Sequence, residues 1–257
     1  MELTWLGQGG FLLASGRWRM AVDPYLSDAL AAKGLVRLMP PPCGPSELAR
    51  LQAAVHRGLE ASAPSLVVCT HDHGDHLDPQ SVVPIANAWP ECRFAGPPAV
   101  VDHLAQLGIA LARCTTLGAG DKLSHVCFTI AAAPARHDGQ AIGVVIEAEG
   151  LRVYISGDTL FFDALAAGVR EVAGGSIDAA MICVNGRWGN MTWQEAVEVI
   201  RELQPRLAIP MHYGMFQQNT VDPTPFLAAV RGMNIKAAKL EVGVAVELRG
   251  LLRQTGT

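Results

Sequence analysis

Residues 69–78, "CTHDHGDHLD", place three histidines and three aspartates in ten positions. Surface solubility does not call for histidine, and an apolar core rejects clustered ionisable groups unless each is paired. Metal ligation answers both objections, because neutral imidazole and carboxylate together suit Zn2+, Mn2+ or Fe2+ rather than Ca2+ or Mg2+. His71 and His73, two apart, can turn toward one centre in an extended loop. The adjacent Asp75 and His76 can face a second.

Working outward, the cluster directly follows the short apolar run "SLVVCT" (65–70), which reads as a strand. Three more ligand-type residues stand in the same relation to apolar runs. His137 follows "HVCFTIAAAPA" (125–135), which is expected to be one strand. Asp158 ends "AIGVVIEAEGLRVYISGDT" (141–159), a hairpin turning at Glu149-Gly150, and His212 ends "RLAIPMHYG" (206–214). Strands of one sandwich end along common edges, so their loops converge. Seven ligands exceed the needs of one tetrahedral ion and suit two, with a carboxylate such as Asp158 between them.

The rest of the chain supplies a scaffold for those strands. The first 28 residues alternate apolar runs with Gly9-Gly10 and Ser15-Gly16, an antiparallel meander. Leu48, Leu51, Val55 and Leu59 form one helical face over 45–62, closed by Pro64. A further helix is expected over roughly 97–107, stopped at Gly108. Thr192-Trp193-Gln194-Glu195 fits a capping box, opening a helix that carries Ala196, Val199, Ile200 and Leu203 on one face. A last helix starts at Asp222-Pro223, and two strands close the chain. Both halves mix strands with helices, and no repeat or linker divides them. The expectation is a single domain over 1–257: an α/β fold with two mixed sheets face to face and helices outside, a four-layer αββα sandwich.

Composition narrows the function. Half of the 257 residues are hydrophobic, 17% are charged, and the net charge is −4 with no run of Lys or Arg. That argues against a nucleic-acid or anionic-membrane partner and for a small-molecule substrate. No signal-peptide pattern and no apolar run of membrane-spanning length is visible. Six cysteines without a CxxC spacing read as reduced thiols of a cytoplasmic protein, with Cys69 a core residue rather than a ligand. His56, His103 and His125 end no motif and are expected at the surface or in supporting positions. Asp72, the middle of His71-Asp72-His73, is expected to serve the loop itself.

The motif His71-x-His73-x-Asp75-His76, followed in order by His137, Asp158 and His212, resembles the metallo-β-lactamase superfamily signature. The resemblance runs from "TWLGQGGFLL" to "PMHYGMF" and implies the αββα fold. It also implies that His71, His73 and His137 hold a first metal, that Asp75, His76 and His212 hold a second, and that Asp158 lies between. Asp23, ending "MAVDP", looks like the aspartate that supports the metal loop. The stretches "VDPYLSD", "ISGDTLFFD", "VNGRWGN" and "IPMHYGMF" are similar to the branch that includes L-ascorbate-6-phosphate lactonase, a manganese-dependent enzyme.

The activity so implied is hydrolysis of a small ester or lactone, phosphorylated or otherwise anionic, by a hydroxide bridging two divalent ions, Zn2+ or Mn2+ with Fe2+ also compatible. Asp75 and Asp158 would orient the nucleophile and shuttle its proton. Arg187 and Asn190, on a Gly-rich loop, are candidates for an anion-binding lip, although Arg187 could equally pair with a surface acid. Tyr213 either donates to a developing oxyanion or packs, and Trp188 and Phe216 either line the mouth or fill the core. Two alternatives stay open: a phosphodiesterase or ribonuclease of the same superfamily, and a metal-bound binding module without turnover. Relatives assemble, which implies a homo-oligomer.

Overall fold

The computed structural model describes residues 1–52 and 63–253. The chain opens with three strands, β1 (Glu2–Gly7), β2 (Gly10–Ser15) and β3 (Trp18–Val22), then a short helix α1 (Ala29–Ala32). The strand β4 (Pro64–Val68) leads to α2 (Pro79–Ala88), β5 (Arg93–Gly96), α3 (Pro98–Gln106) and β6 (Cys114–Thr116). Four strands follow: β7 (Lys122–His125), β8 (Phe128–Pro134), β9 (Ile142–Ala148) and β10 (Leu151–Ile155). Then come α4 (Leu165–Ala173), β11 (Ala179–Cys183), α5 (Trp193–Leu203), β12 (Leu207–Met211) and α6 (Thr224–Gly232). The described chain ends with β13 (Lys236–Ala237), β14 (Ala245–Glu247) and α7 (Leu248–Arg253).

The strands form two seven-stranded sheets, ordered β14-β1-β2-β3-β4-β5-β6 and β13-β12-β11-β10-β9-β8-β7. In the first, pairing is antiparallel from β14 to β3 and parallel from β3 to β6. In the second, it is parallel from β13 to β10 and antiparallel from β10 to β7. Each sheet is therefore mixed, with its parallel half built by helical crossovers.

Strand alternation assigns side chains to layers. Leu3, Trp5, Phe11, Leu13, Met20, Val22, Leu66 and Val68 join the core that also holds the second sheet. Their neighbours Leu6, Leu12, Ala21 and Val67 turn to the opposite face and pack with Val82, Ile85, Val100 and Leu104 of α2 and α3. Both faces of the first sheet are covered, so its strands read as apolar runs rather than as alternation. On the far side, α4, α5 and α6 contribute Val169, Ile200 and Val230 to the larger core. The layers are those expected.

Several local expectations need correction. The strand expected over 125–135 forms as Phe128–Pro134 and starts later than expected, because Val126 takes φ +48° in the turn that joins β7 to β8. The helix expected over 45–62 is a 3-10 helix over Pro45–Gln52, with Leu48 buried; Val55, His56 and Leu59 lie outside the described residues. Pro64 begins a strand rather than closing a helix. The α6 helix is not the last, since α7 follows the closing strands and buries Leu248 and Leu252. The hairpin at Glu149-Gly150, both at positive φ, and the Thr192–Glu195 capping box form as read.

Backbone bonds join the sheets at one edge. The Ile142 amide donates to Thr70 O (3.0 Å) and the His212 amide to Gln8 O (3.0 Å). Gly157 completes this edge: its φ is +57°, and a Cβ there would stand 3.0 Å from both Ile142 O and Thr70 Cβ. Gly157→Ala is expected to lower stability by about 1–3 kcal/mol, through left-handed strain and that crowding. Urea unfolding measures it; an unchanged midpoint would show that the edge is looser than described.

Candidate metal centre

The ligand-type residues lie just past the C-terminal ends of strands, from both sheets. The first sheet delivers Asp23 after β3 and His71, His73, Asp75 and His76 after β4; the second delivers His137 after β8, Asp158 after β10 and His212 after β12. A tight turn, with the His76 and Leu77 amides both donating to His73 O (2.9 and 2.8 Å), curls the first loop on itself.

Asp23 organises that loop. Fully buried, it accepts the Thr70 amide on Oδ1 (2.7 Å), and on Oδ2 it accepts the Thr70 hydroxyl (2.7 Å) and His76 Nδ1–H (2.8 Å). With its proton given to Asp23, the Thr70 oxygen accepts from His71 Nδ1–H at 3.1 Å. His137 Nδ1–H donates to Gly189 O at 3.0 Å. In the neutral imidazoles these bonds leave Nε2 of His71, His76 and His137 bare and turned inward, as metal ligation requires. Glycine is needed at two approaches, because a Cβ would meet His76 Cε1 at 2.8 Å from Gly9 and His137 Nδ1 at 2.8 Å from Gly189.

The facing atoms form two groups. His73 Nδ1 and His137 Nε2 are 3.1 Å apart, and His137 Nε2 lies 3.8 Å from Asp158 Oδ2. On the other side His76 Nε2 and His212 Nε2 are 3.3 Å apart. Asp158 Oδ1 lies 3.3 and 3.1 Å from those two nitrogens, and Asp75 Oδ2 lies 3.9 and 3.4 Å from them. Ligands about 2.0–2.1 Å from a tetrahedral centre stand roughly 3.3 Å from one another. The set meets that spacing, and His71 Nε2 is buried with no partner. Ligand atoms of His71, His73 and His137, of Asp75, His76 and His212, and of His71, His76 and Asp158 each fall within 4.8 Å of one another. The donor set therefore fits two divalent cations.

Charge balance says the same. Burial alone would lower the pKa of His76, but Asp158, Asp23 and Asp75 outweigh it and hold it well above the ordinary histidine range. His212, opposed by burial in the same way, is raised to about 9 by Asp158 and Asp75. Burial would raise both carboxyls, yet Asp158 is held well below its usual range by His212 and His76, and Asp75 is lowered mainly by His76. His71 goes the other way, lowered well below by burial and then by His76. Protons on His76 and His212 thus occupy the place of cations.

The other expected residues scatter. Asp72 is exposed and pairs with His103 Nδ1 of α3 at 2.5 Å, bracing the loop from outside. Arg187 is exposed beside Trp188, whereas both amide atoms of the Asn190 side chain are buried without a partner. The Tyr213 ring lies against Trp5 at 4.9 Å between centroids, and its hydroxyl is buried and unpartnered. Tyr213 also lines a cavity of about 420 Å³ with Trp5, Met39, Lys239 and Glu241, which none of the seven ligand-type residues lines. Phe216 is wholly buried against Tyr25 and Met215, so it belongs to a core rather than a mouth. Trp188 and Leu160, 58% and 48% exposed, do line the surface near His137, because Gly189 and Arg136 bond there. Cys69 is buried in the outer layer, as expected.

Gln8, Thr70 and Gly189 touch ligand-type residues and were not legible as site residues. Only the glycine bracket around Gln8 and the position of Thr70 beside His71 hinted at them.

Two mixed sheets carrying a buried His/Asp cluster across one edge define the metallo-β-lactamase class of α/β sandwich. Residues 23–213 match the family described as the beta-lactamase superfamily domain, and the chain belongs to that family. A protein of Opitutus terrae named UPF0173 metal-dependent hydrolase is 29% identical, aligned over 96% of this chain and all of the relative. The solved structure of Igni18, a metallo hydrolase from Ignicoccus hospitalis, superposes with a TM-score of 0.71 at 23% identity, covering 95% of this chain and 97% of that one. An isothiocyanate hydrolase from Delia radicum gut bacteria gives a TM-score of 0.72 at 17% identity, covering 96% and 99%. These two show a shared fold.

The pKa shifts set a pH profile for the metal-free protein. His212, raised to about 9 from 6.5, contributes stability fully present below about pH 6.5 and lost as pH rises through 9, and His76 acts in the same direction. His71, lowered, removes stability as pH falls below 6.5. Thermal midpoints in the presence of a chelator should therefore peak near neutrality, and His212→Gln should flatten the alkaline limb. An alkaline limb unchanged in that variant would contradict the assignment.

Proposed function

We propose that this chain is a metal-dependent hydrolase of a small ester or lactone, with a centre for two divalent ions, Zn2+ or Mn2+. The observation that carries the reading is the ligand-atom spacing of 3.1–3.9 Å within two groups, beside which His71 Nε2 is buried without a partner. His71, His73 and His137 hold the first ion, Asp75, His76 and His212 the second, and Asp158 presents one oxygen to each group. Bound there, the ions supply a water of lowered pKa and a Lewis acid for the substrate carbonyl.

The chain's own residues do the rest. Asp158 and Asp75 are the carboxylates among the ligand-type atoms; one would accept the proton of the attacking water at an Oδ atom and return it to the leaving alkoxide oxygen. No serine or cysteine nucleophile is needed. Arg187, exposed on the lip beside Trp188, supports recognition of a carboxylate or phosphate on the substrate, while Trp188 and Leu160 offer an apolar rim. Tyr213 is next to a ligand, but its cavity favours a packing role. The core shared by both sheets supports a single domain over 1–257.

Elemental analysis of purified protein is expected to give two Zn, Mn or Fe per chain, and His76→Ala one. Loaded protein should then hydrolyse members of a panel of lactones, phosphorylated lactones, carboxylic esters and isothiocyanates, with His76→Ala inactive. The isothiocyanates belong in the panel because a fold neighbour carries that name. No metal after reconstitution with each ion would overturn the reading. Cleavage of phosphodiesters alone would move the substrate class.

A further inference from the structure

The turn between β1 and β2 carries an anomaly. Gln8 takes φ +47°, left-handed backbone that a long unbranched side chain rarely adopts, although Gly7 and Gly9 flank it. Such a conformation is strained and persists where surrounding contacts over-determine it.

Those contacts lead to one half of the centre. Gln8 is fully buried, and its backbone oxygen accepts both the His212 amide (3.0 Å) and Trp5 Nε1–H (3.1 Å). Its side-chain Nε2 donates to Asp75 Oδ2 at 3.1 Å, the same oxygen that lies 3.4 Å from His212 Nε2. The next residue, Gly9, abuts His76 so closely that a Cβ would meet the ring at 2.8 Å. All three residues of the second group are thus touched by two consecutive turn positions. Among the described residues Gln8 has no hydrogen bond to His71, His73 or His137. Its carboxamide oxygen is buried with no partner. A buried amide oxygen left so is destabilising, and no hydrogen bond of the described protein offsets it.

Resting on the dinuclear reading above, we propose that Gln8 is a positioning residue for the second ion alone. Its N–H fixes which oxygen of Asp75 faces that ion, and its carbonyl anchors the backbone of His212. The first ion is bound without it.

The test uses stepwise metal affinity, read by competition with a chromophoric chelator for Zn2+ and for Mn2+. Gln8→Asn suits the left-handed turn better than glutamine does, but its amide is one methylene too short for Asp75. Gln8→Met keeps the length and removes the donor. In both, the binding step that His76→Ala removes is expected to weaken about 10–100-fold, as loss of a ligand's supporting hydrogen bond does, while the step that His76→Ala retains stays within about twofold. The thermal midpoint of the chelator-treated protein should hold or rise in Gln8→Asn. Unchanged affinity for the step that His76→Ala removes, in either folded variant, overturns the proposal, and so does equal weakening of both steps, which would mark a general structural role. Wild-type protein that binds fewer than two ions overturns the dinuclear reading itself, an outcome separate from either variant result.

Discussion

Asp23 is the constraint on which the rest depends. A carboxylate with no exposure survives only where donors replace its lost water, and Asp23 finds three of them in the loop that follows β4. Satisfying Asp23 therefore fixes that loop's entry, hands the Thr70 oxygen to His71, and leaves His76 Nε2 bare toward the centre. The demand spreads to backbone: Asp23 itself sits at φ +45°, and Gly9 must lack a side chain where the turn crosses His76. A conservative change to asparagine would keep the shape and present N–H groups to donors.

How much of this could be read from residues alone varied with the physics. The layers followed from apolar runs ending in turn signals, because covering both faces of a sheet removes polar positions from its strands. The ligand-type residues were legible because histidine and aspartate at four separate strand ends have few other uses. Val126 was not, since a valine at positive φ is set by the pairing of β7 with β8 rather than by its own preference. Phe216 shows the same limit, since an aromatic near a ligand reads alike whether it faces solvent or Tyr25. Gln8 was hidden for a third reason. Glutamine carries no motif, and its contact with Asp75 spans 67 positions.

The surroundings of the centre divide the labour. Residues that face the cluster are tightly constrained: Thr70, Gly9, Gly157 and Gly189 have no room to vary in size. Arg187, Trp188 and Leu160, one or two residues away, are exposed and carry little of the fold. Such an arrangement lets the rim change with the substrate while the cluster stays as it is.

His76 and His212 lie 136 positions apart, one after a strand of each sheet, yet their ring nitrogens stand 3.3 Å from each other. An ion held between them is a staple through the seam of the sandwich. Binding that exists only in the folded state adds directly to folding free energy. Prying the sheets apart then means rupturing coordination bonds first. Metal loading would therefore register as slower unfolding and resistance to proteolysis well away from the cluster.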